Sequence, residues 1–251
     1  MAGVGIDSRR QRIISGSGYK RSGYRRQERD LKMENTISDK YELELMPIAI
    51  GGKRLELYGI ANWDVFVERL EREGEEYVKS FPFWIKVWEA SIVLTDHLVQ
   101  INIDKQKNIL EIGAGMGITG LFLGAFGYNV TITDYKEDAL ELLRMNAEHN
   151  NLPNVRVERL DWNNPNLTGK YDIICGSEII YNETFIGPII KLFQRYLSSE
   201  GTVFLAHDIR RRCLIQFIGM VPGRFDIENV LKTMKGKEEM HRIVIHTLHL
   251  K

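Results

Sequence analysis

The residues of this chain whose types and spacing suit chemistry gather behind four short apolar runs. The first, Ile109-Leu110-Glu111-Ile112, passes directly into Gly113-Ala114-Gly115-Met116-Gly117 and on into Ile118-Thr119-Gly120. Glycine is needed where a backbone turns tightly and where a ligand must approach the main chain without meeting a Cβ. The helix that follows such a turn begins with N–H groups that have no partner within the helix. Gly115, Gly117 and Gly120 also satisfy a dinucleotide pattern, so the turn alone does not choose its ligand. Neighbouring acids narrow the choice. Asp134 ends the second run, about twenty positions on, where a carboxylate accepts hydrogen bonds from both ribose hydroxyls; it equally suits a helix cap. Asp161 and Trp162 follow the third run, an acid and a flat ring matched to the amino group and face of an adenine. Glu111, beside the glycines, would repel a pyrophosphate yet suits a ligand carrying an amino group and a sulfonium.

The fourth run, Tyr171 to Gly176, leads into Ser177-Glu178-Ile179-Ile180-Tyr181. Ligands of open α/β sheets sit beyond the carboxyl ends of the strands, so an acid here lies on the ligand-bearing edge of the sheet. A carboxylate orients an amine and takes up its positive charge, which an amine must shed as a proton before it attacks. Tyr181 offers a ring wall or a hydroxyl. Both residues also have structural readings: Glu178 as the cap of a helix near Thr184, Tyr181 as packing. His207-Asp208-Ile209-Arg210, behind the fifth run, either lines the same pocket or caps a helix. Arg210-Arg211-Arg212 reads either as a grip on an acidic partner or, more simply, as a solvated surface run, and Cys175 as an inert core thiol. His246 and His249 fall on opposite faces of a strand, a poor metal pair, and no metal is expected.

These residues need a scaffold that brings strand ends together. Strand-like runs recur at Asn108–Ile112, Asn129–Thr133, Val155–Arg159, Tyr171–Gly176 and Thr202–His207, with helical patterns near Ile118–Phe126, Glu137–Asn150 and Thr184–Leu197. That alternation is the signature of a parallel sheet with helices on both faces. Leu140, Leu143 and Ala147 form one apolar stripe at helical spacing. The chain then changes habit: Phe225–Val230 and His241–Leu250 read as consecutive strands joined by Lys235-Gly236-Lys237, too short for a crossover helix and therefore antiparallel. Upstream, alternating residues from Tyr41 to Ile60 around Gly51-Gly52 predict a β-hairpin. A helix follows over roughly Trp63 to Lys79, and after Pro82 another from about Lys86 to Val99, with Ile85, Trp88 and Ile92 on one face. The fold class is α/β: a Rossmann-like, mostly parallel seven-stranded sheet with helices on both faces, a C-terminal antiparallel hairpin and an N-terminal β-hairpin extension. The expected organisation is a disordered basic tail over 1–33, a hairpin and helices packing on the core over 34–104, and the core itself over 105–251.

With 251 residues, 43% of them hydrophobic, the chain can bury one full core. Lys+Arg and Asp+Glu both number 34, which gives no general attraction to nucleic acid or acidic membranes. The exception is local, a basic stretch from Arg9 to Lys32 opposed only by Glu28 and Asp30. Two cysteines, Cys175 and Cys213, make neither a disulfide framework nor a metal cluster and fit a reducing compartment. With no apolar run of roughly 18 residues and no secretory h-region, no membrane contact is expected and the cytoplasm is the expected location.

The run Glu111 to Gly117 with Asp134, Asp161-Trp162 and the strand Tyr171–Gly176 resembles the class I, seven-stranded S-adenosylmethionine methyltransferases. More narrowly it resembles the METTL21-type protein lysine methyltransferases of methyltransferase family 16. The resemblance extends over roughly Tyr41 to Leu250, including Phe83-Trp84-Ile85-Lys86-Val87-Trp88 and Gly176-Ser177-Glu178-Ile179-Ile180-Tyr181. It implies S-adenosyl-L-methionine as cofactor, with S-adenosyl-L-homocysteine as product, and cofactor contacts from Trp88, Gly113, Ala114, Gly115, Asp134, Trp162 and Ser177. The residue reading adds Glu111 and Asp161. Relatives carry Asp-x-x-Tyr after the fourth strand, where this chain has Glu178 and Tyr181, the same charge on an arm one methylene longer; these two are the candidate catalytic pair. The implied reaction is N-methylation of a lysine side chain on a partner protein. Alternatives are a small-molecule methyltransferase, a nicotinamide-dependent oxidoreductase and a non-catalytic methyltransferase-like binding module. Glu111, Asp161-Trp162 and the terminal hairpin weigh against the oxidoreductase. Nucleic acid is not the expected acceptor, since the Asn-Pro-Pro-aromatic sequence of base-methylating enzymes is missing after the fourth strand and Asn164-Pro165 reads as a turn.

Overall fold

The computed structural model describes residues 36–74, 77, 81–236 and 239–251; the basic stretch read as a tail lies outside them. A short helix α1 (Ile37–Lys40) precedes β1 (Leu43–Ile50) and β2 (Lys53–Ile60). Gly51 and Gly52 join these two strands with φ of 58° and 83°, the left-handed pair that a two-residue hairpin turn demands. Helix α2 (Trp63–Glu73) is capped at Gly74, φ 62°; of the expected continuation to Lys79 only Tyr77 is described, and it is helical. Next come α3 (Glu89–Gln100), β3 (Asn108–Ile112), α4 (Ile118–Ala125), β4 (Asn129–Asp134), α5 (Glu137–His149) and β5 (Val155–Arg159). The chain continues through β6 (Tyr171–Ser177), α6 (Ile186–Tyr196), β7 (Leu197–Asp208), α7 (Cys213–Met220), β8 (Phe225–Lys235) and β9 (Met240–Leu250).

The main sheet has seven strands in the order β5-β4-β3-β6-β7-β9-β8. The first five are parallel, and β9 runs antiparallel to both β7 and β8. Side chains alternate between two cores, as a pleated sheet covered on both faces requires. On β7, Phe204 and Ala206 pack with α3 and α4 on one face, while Val203 and Leu205 pack with α6 and α7 on the other. Because β4 and β5 lie to one side of β3 and β6 and β7 to the other, the connections diverge at the carboxyl ends of β3 and β6 and leave a crevice there.

The hairpin is fastened to this core by two asparagines. Asn146 Oδ1 accepts the Tyr58 N–H (2.6 Å) and its Nδ2 donates to Tyr58 O (3.1 Å); Asn150, at the α5 C-cap, does the same with Glu56 (3.1 and 2.9 Å). Four residues of helix rise about as far as two residues of strand, so the amides stand in for a third strand beside β2.

Three elements differ from the sequence expectation. Lys86 to Trp88 are not helical: a single turn over Phe83–Ile85 is followed by extended backbone, and Trp88 (φ −82°, ψ 134°) is the N-cap residue of α3. Helix α7 was not expected, because Cys213-Leu214-Ile215-Gln216-Phe217-Ile218-Gly219-Met220 shows no polar alternation; only Leu214 and Phe217, three apart, are buried. Strands β7 and β8 run to 12 and 11 residues, longer than read: β7 begins at Leu197, which pairs with Tyr171 of β6, and β9 pairs along the whole of β8.

Candidate active site

Three segments converge on the glycine turn after β3. Gly113, Gly115 and Gly117 all have positive φ, 62°, 55° and 70°. A Cβ at Gly113 would stand 2.9 Å from Trp162 Cζ2 and 3.0 Å from Ile179 Cγ2, and one at Gly115 would stand 3.0 Å from the Trp84 carbonyl oxygen. The missing side chains therefore let the loops after β5 and β6, and the segment before α3, close on one turn. Asp134, at the end of β4, ties the turn down: Oδ2 accepts the Gly115 N–H (2.9 Å), and Oδ1 accepts the N–H groups of Tyr135 (2.7 Å) and Lys136 (2.9 Å). Burial pushes its pKa up, and those donors oppose the shift. Ala114 lies between the two glycines, its N–H on Thr133 O (2.9 Å).

Glu111 stands differently from its sequence reading. Only 1% exposed, it places Oε2 on the Gly120 N–H (2.8 Å), inside the junction of β3 and α4. Burial pushes its pKa to about 8, so over most of the neutral range the carboxyl carries a proton. In this structure the side chain holds the first turn of α4 through the Gly120 N–H. Asp161 also serves its own loop, Oδ1 accepting the Asn163 N–H (2.9 Å).

On the other side of the crevice, the segment after β6 is clamped to the end of β7. Glu178 takes φ 55°, a left-handed conformation that costs a non-glycine residue on the order of 1 kcal/mol or more. Three hydrogen bonds hold it and its neighbours: Glu178 N–H to Ala206 O (2.9 Å), Ile180 N–H to His207 Nε2 (3.1 Å), and Asp208 N–H to Glu178 Oε1 (2.7 Å). A fourth comes from Arg211 Nε to Glu178 Oε2. The carboxylate, 8% exposed, is thus fully partnered. Ser177 is the half-buried last residue of β6. Tyr181 is 53% exposed, its ring 6.4 Å from that of Trp162 and 5.6 Å from that of Phe185, and Trp162 meets Phe185 edge-on at 5.3 Å. Desolvation of its hydroxyl and the Asp134 charge raise the Tyr181 pKa.

Trp88 flanks the same region. Its Nε1 donates to Phe83 O (3.2 Å), and two cations sit on its ring, Lys86 Nζ at 4.4 Å and Arg211 Cζ at 5.3 Å from the centroid. The structure thus gathers Trp162, Tyr181, Glu178 and the glycine turn. It also adds two residues that the sequence reading treated lightly. His207 is fully buried, and burial above all, with the neighbouring His246 ring and the Arg211 guanidinium acting the same way, holds its pKa well below the ordinary value. Arg211 is not a solvated surface residue but the ion-pair partner of Glu178, and Arg210 pairs with Asp208 and Glu239. The available signal was position: an arginine run directly behind a strand that ends on the reactive edge.

Residues 75–224 match the model of the lysine methyltransferase family, methyltransferase family 16. This chain belongs to that family. It is an S-adenosylmethionine-dependent methyltransferase. Among curated relatives of this family 16 enzyme, protein N-lysine methyltransferase METTL21A of Danio rerio is 35% identical over 154 residues, covering 57% of this chain and 69% of the relative. EEF1A lysine methyltransferase 3 of Mus musculus is 32% identical over 151 residues, covering 57% and 64%. The fold alone is shared with a TehB-like SAM-dependent methyltransferase from Corynebacterium glutamicum, 15% identical, TM-score 0.52, over 75% of this chain and 100% of that one.

Proposed function

We propose that this family 16 enzyme methylates the ε-amino group of a lysine on a partner protein, with the cofactor on the glycine turn and the acceptor beside Glu178 and Tyr181. The observation that carries this reading is the contact between the two halves: Ile179, one residue after Glu178, lies directly against Gly113. The printed activity of the relatives, protein N-lysine methylation, supports the choice of acceptor.

The residues present fit S-adenosylmethionine. The Gly113–Gly115 turn is half-buried with no side chain at either glycine, the Trp162 ring lies against Gly113, and Asp134 and Asp161 supply carboxylates at the two neighbouring strand ends. These residues, with Trp88 and Ser177, would hold the cofactor, which brings its methyl as an electrophile on a sulfonium. Glu111 belongs to this set indirectly, through the Gly120 N–H. The protein's part is placement, because transfer needs the amine within about 3–3.5 Å of the methyl and in line with it. Glu178 contributes a fixed negative charge with both oxygens oriented, and Tyr181 an exposed ring at the mouth. A cytoplasmic location completes the proposal; the two free cysteines, one buried and one half-buried, support a reducing compartment. Among the described residues no helix is long and apolar enough to cross a membrane, and no group of His, Cys, Asp and Glu gathers to hold a metal.

The test is transfer of labelled methyl from S-adenosylmethionine to a cell extract, resolved into protein, RNA and small-molecule fractions, with amino-acid analysis of the protein. Methyl-lysine is the expected product, and label confined to RNA or small molecules refutes the proposal. Glu178→Ala should cut transfer by about 10²-fold while cofactor affinity changes by a factor of a few. Equal loss of both would assign Glu178 to the cofactor shell or the fold.

A further inference from the structure

A lysine acceptor site needs a carboxylate for the ammonium and an aromatic face for the stem and charge. This structure holds both, and both are in use. Arg211 places its guanidinium between Glu178, through Nε, and the Trp88 ring, 5.3 Å away. We propose that Arg211 is an internal stand-in for the acceptor ammonium, and that a substrate lysine enters by displacing it from Glu178 and Trp88. The inference rests on the lysine reading above.

Four observations support it. Glu178 is buried, and an unpaired charge at such a site costs several kcal/mol, so an empty acceptor site needs a resident cation. Exchange of a guanidinium for an ammonium keeps the site neutral, which removal would not. The Arg211 side chain is still 32% exposed, so the position it fills opens to solvent. Arg211 is also the single residue from Ile209 to Arg212 that is not exposed, so swinging its side chain outward breaks its contacts with Glu178 and Trp88 and leaves Arg210 on Asp208 and Glu239. Finally, Trp88 draws a second cation, Lys86, held by Glu89 at 3.6 Å, as expected of a ring face that attracts positive charge. Arginine suits the role because its guanidinium stays protonated at every pH where the protein is folded.

The decisive variant is Arg211→Lys, which puts a primary amine in the occupied position and keeps the charge. With S-adenosylmethionine it should methylate itself at position 211: the amine first releases a proton to solvent, its lone pair forms the N–C bond, and the S–C bond breaks with its electrons left on sulfur as S-adenosylhomocysteine. Peptide mass spectrometry reads the product, and the melting temperature and S-adenosylhomocysteine affinity verify that the variant is folded. In a second arm, Arg211→Gln saturated with S-adenosylhomocysteine should bind n-butylammonium about tenfold or more tighter than the unaltered protein does in calorimetry. Adding Glu178→Ala should erase that gain. If the unaltered enzyme forms methyl-lysine in extract while position 211 stays unmodified and butylammonium gains nothing, Arg211 is a structural staple and the inference falls alone. If no methyl-lysine forms anywhere, the lysine reading falls with it.

Discussion

Glu111→Gln isolates the buried carboxyl under the glycine turn. Glutamine keeps an oxygen for the Gly120 N–H, and its side chain never ionises. In the folded protein the Glu111 pKa stands near 8, against 4.5 ordinarily, so the native state favours the protonated form. A carboxyl with a raised folded pKa contributes stability that is complete below its unfolded value and is lost as pH rises through the folded one. The loss therefore runs from about pH 4.5 to about pH 8. At about 1.36 kcal/mol per unit this interval corresponds to an upper bound on the order of 4–5 kcal/mol. Water penetration and relaxation around the buried acid reduce that, so a gain of about 2–3 kcal/mol is expected for the glutamine variant at pH 8.5, and near zero at pH 5. Urea denaturation of both proteins without cofactor, at pH 5, 6.5 and 8.5, measures the difference directly; other titrating groups cancel between them. A difference that does not change with pH would show that Glu111 stays ionised in the folded state, and would restore the electrostatic role that its charge alone indicated.

Gly115→Arg should abolish binding of S-adenosylhomocysteine in calorimetry, since any Cβ at φ 55° presses on the Trp84 carbonyl; retained binding would place the cofactor elsewhere. Asp134→Ala frees the Gly115 N–H and removes the proposed ribose acceptor, and should weaken the same binding by about 1.5–3 kcal/mol; unchanged affinity would refute that role. His207→Leu strips the acceptor from the buried Ile180 N–H and should cost about 1–3 kcal/mol of stability, while lowering kcat much more than cofactor affinity. His207→Asn, which offers an oxygen, should recover part of both, and equal behaviour of the two variants would deny the hydrogen bond any function.

How far the sequence could be read depended on whether a role follows from local pattern or from burial. The sheet was legible because strand and helix periods alternate from Asn108 onward, and the change of habit after Phe225 announced the antiparallel β8 and β9. Asp134 was legible because a strand end and a glycine turn specify its surroundings. Glu111 was legible as a residue but not as a charge: its protonation depends on being 1% exposed, which no spacing encodes. Trp88 was assigned to a helix because it shares a period with Ile85 and Ile92. The chain instead stays extended there, with the Trp84 carbonyl seated against Gly115, a tertiary contact outweighing local propensity. Helix α7 lacks a polar face to announce it: it is apolar nearly throughout, yet buries fully only Leu214 and Phe217, with Cys213 and Ile218 packed at the margin.

The two halves of the site also differ in how they are encoded. The cofactor half is assembled at short range: Glu111 reaches Gly120 and Asp134 reaches Gly115, nine and 19 residues apart, within one β-α-β unit. The acceptor half is assembled at long range. Glu178 meets Asp208 and Arg211, and Ile180 meets His207, over 27 to 33 residues and across two strands. Those bonds exist only in one register of β6 against β7, with Ser177 opposite Ala206. A slip of a single residue would turn His207 away from Ile180 and move the Asp208 N–H off Glu178, since successive residues of a strand face opposite sides. The long antiparallel pairing of β9 along β7 guards that register from the far side, with Ala206 opposite Ile245 and Asp208 opposite Ile243. The terminal hairpin, remote from the cofactor, is therefore part of what positions the acceptor residues. Damage to it should reach methyl transfer before it reaches cofactor binding.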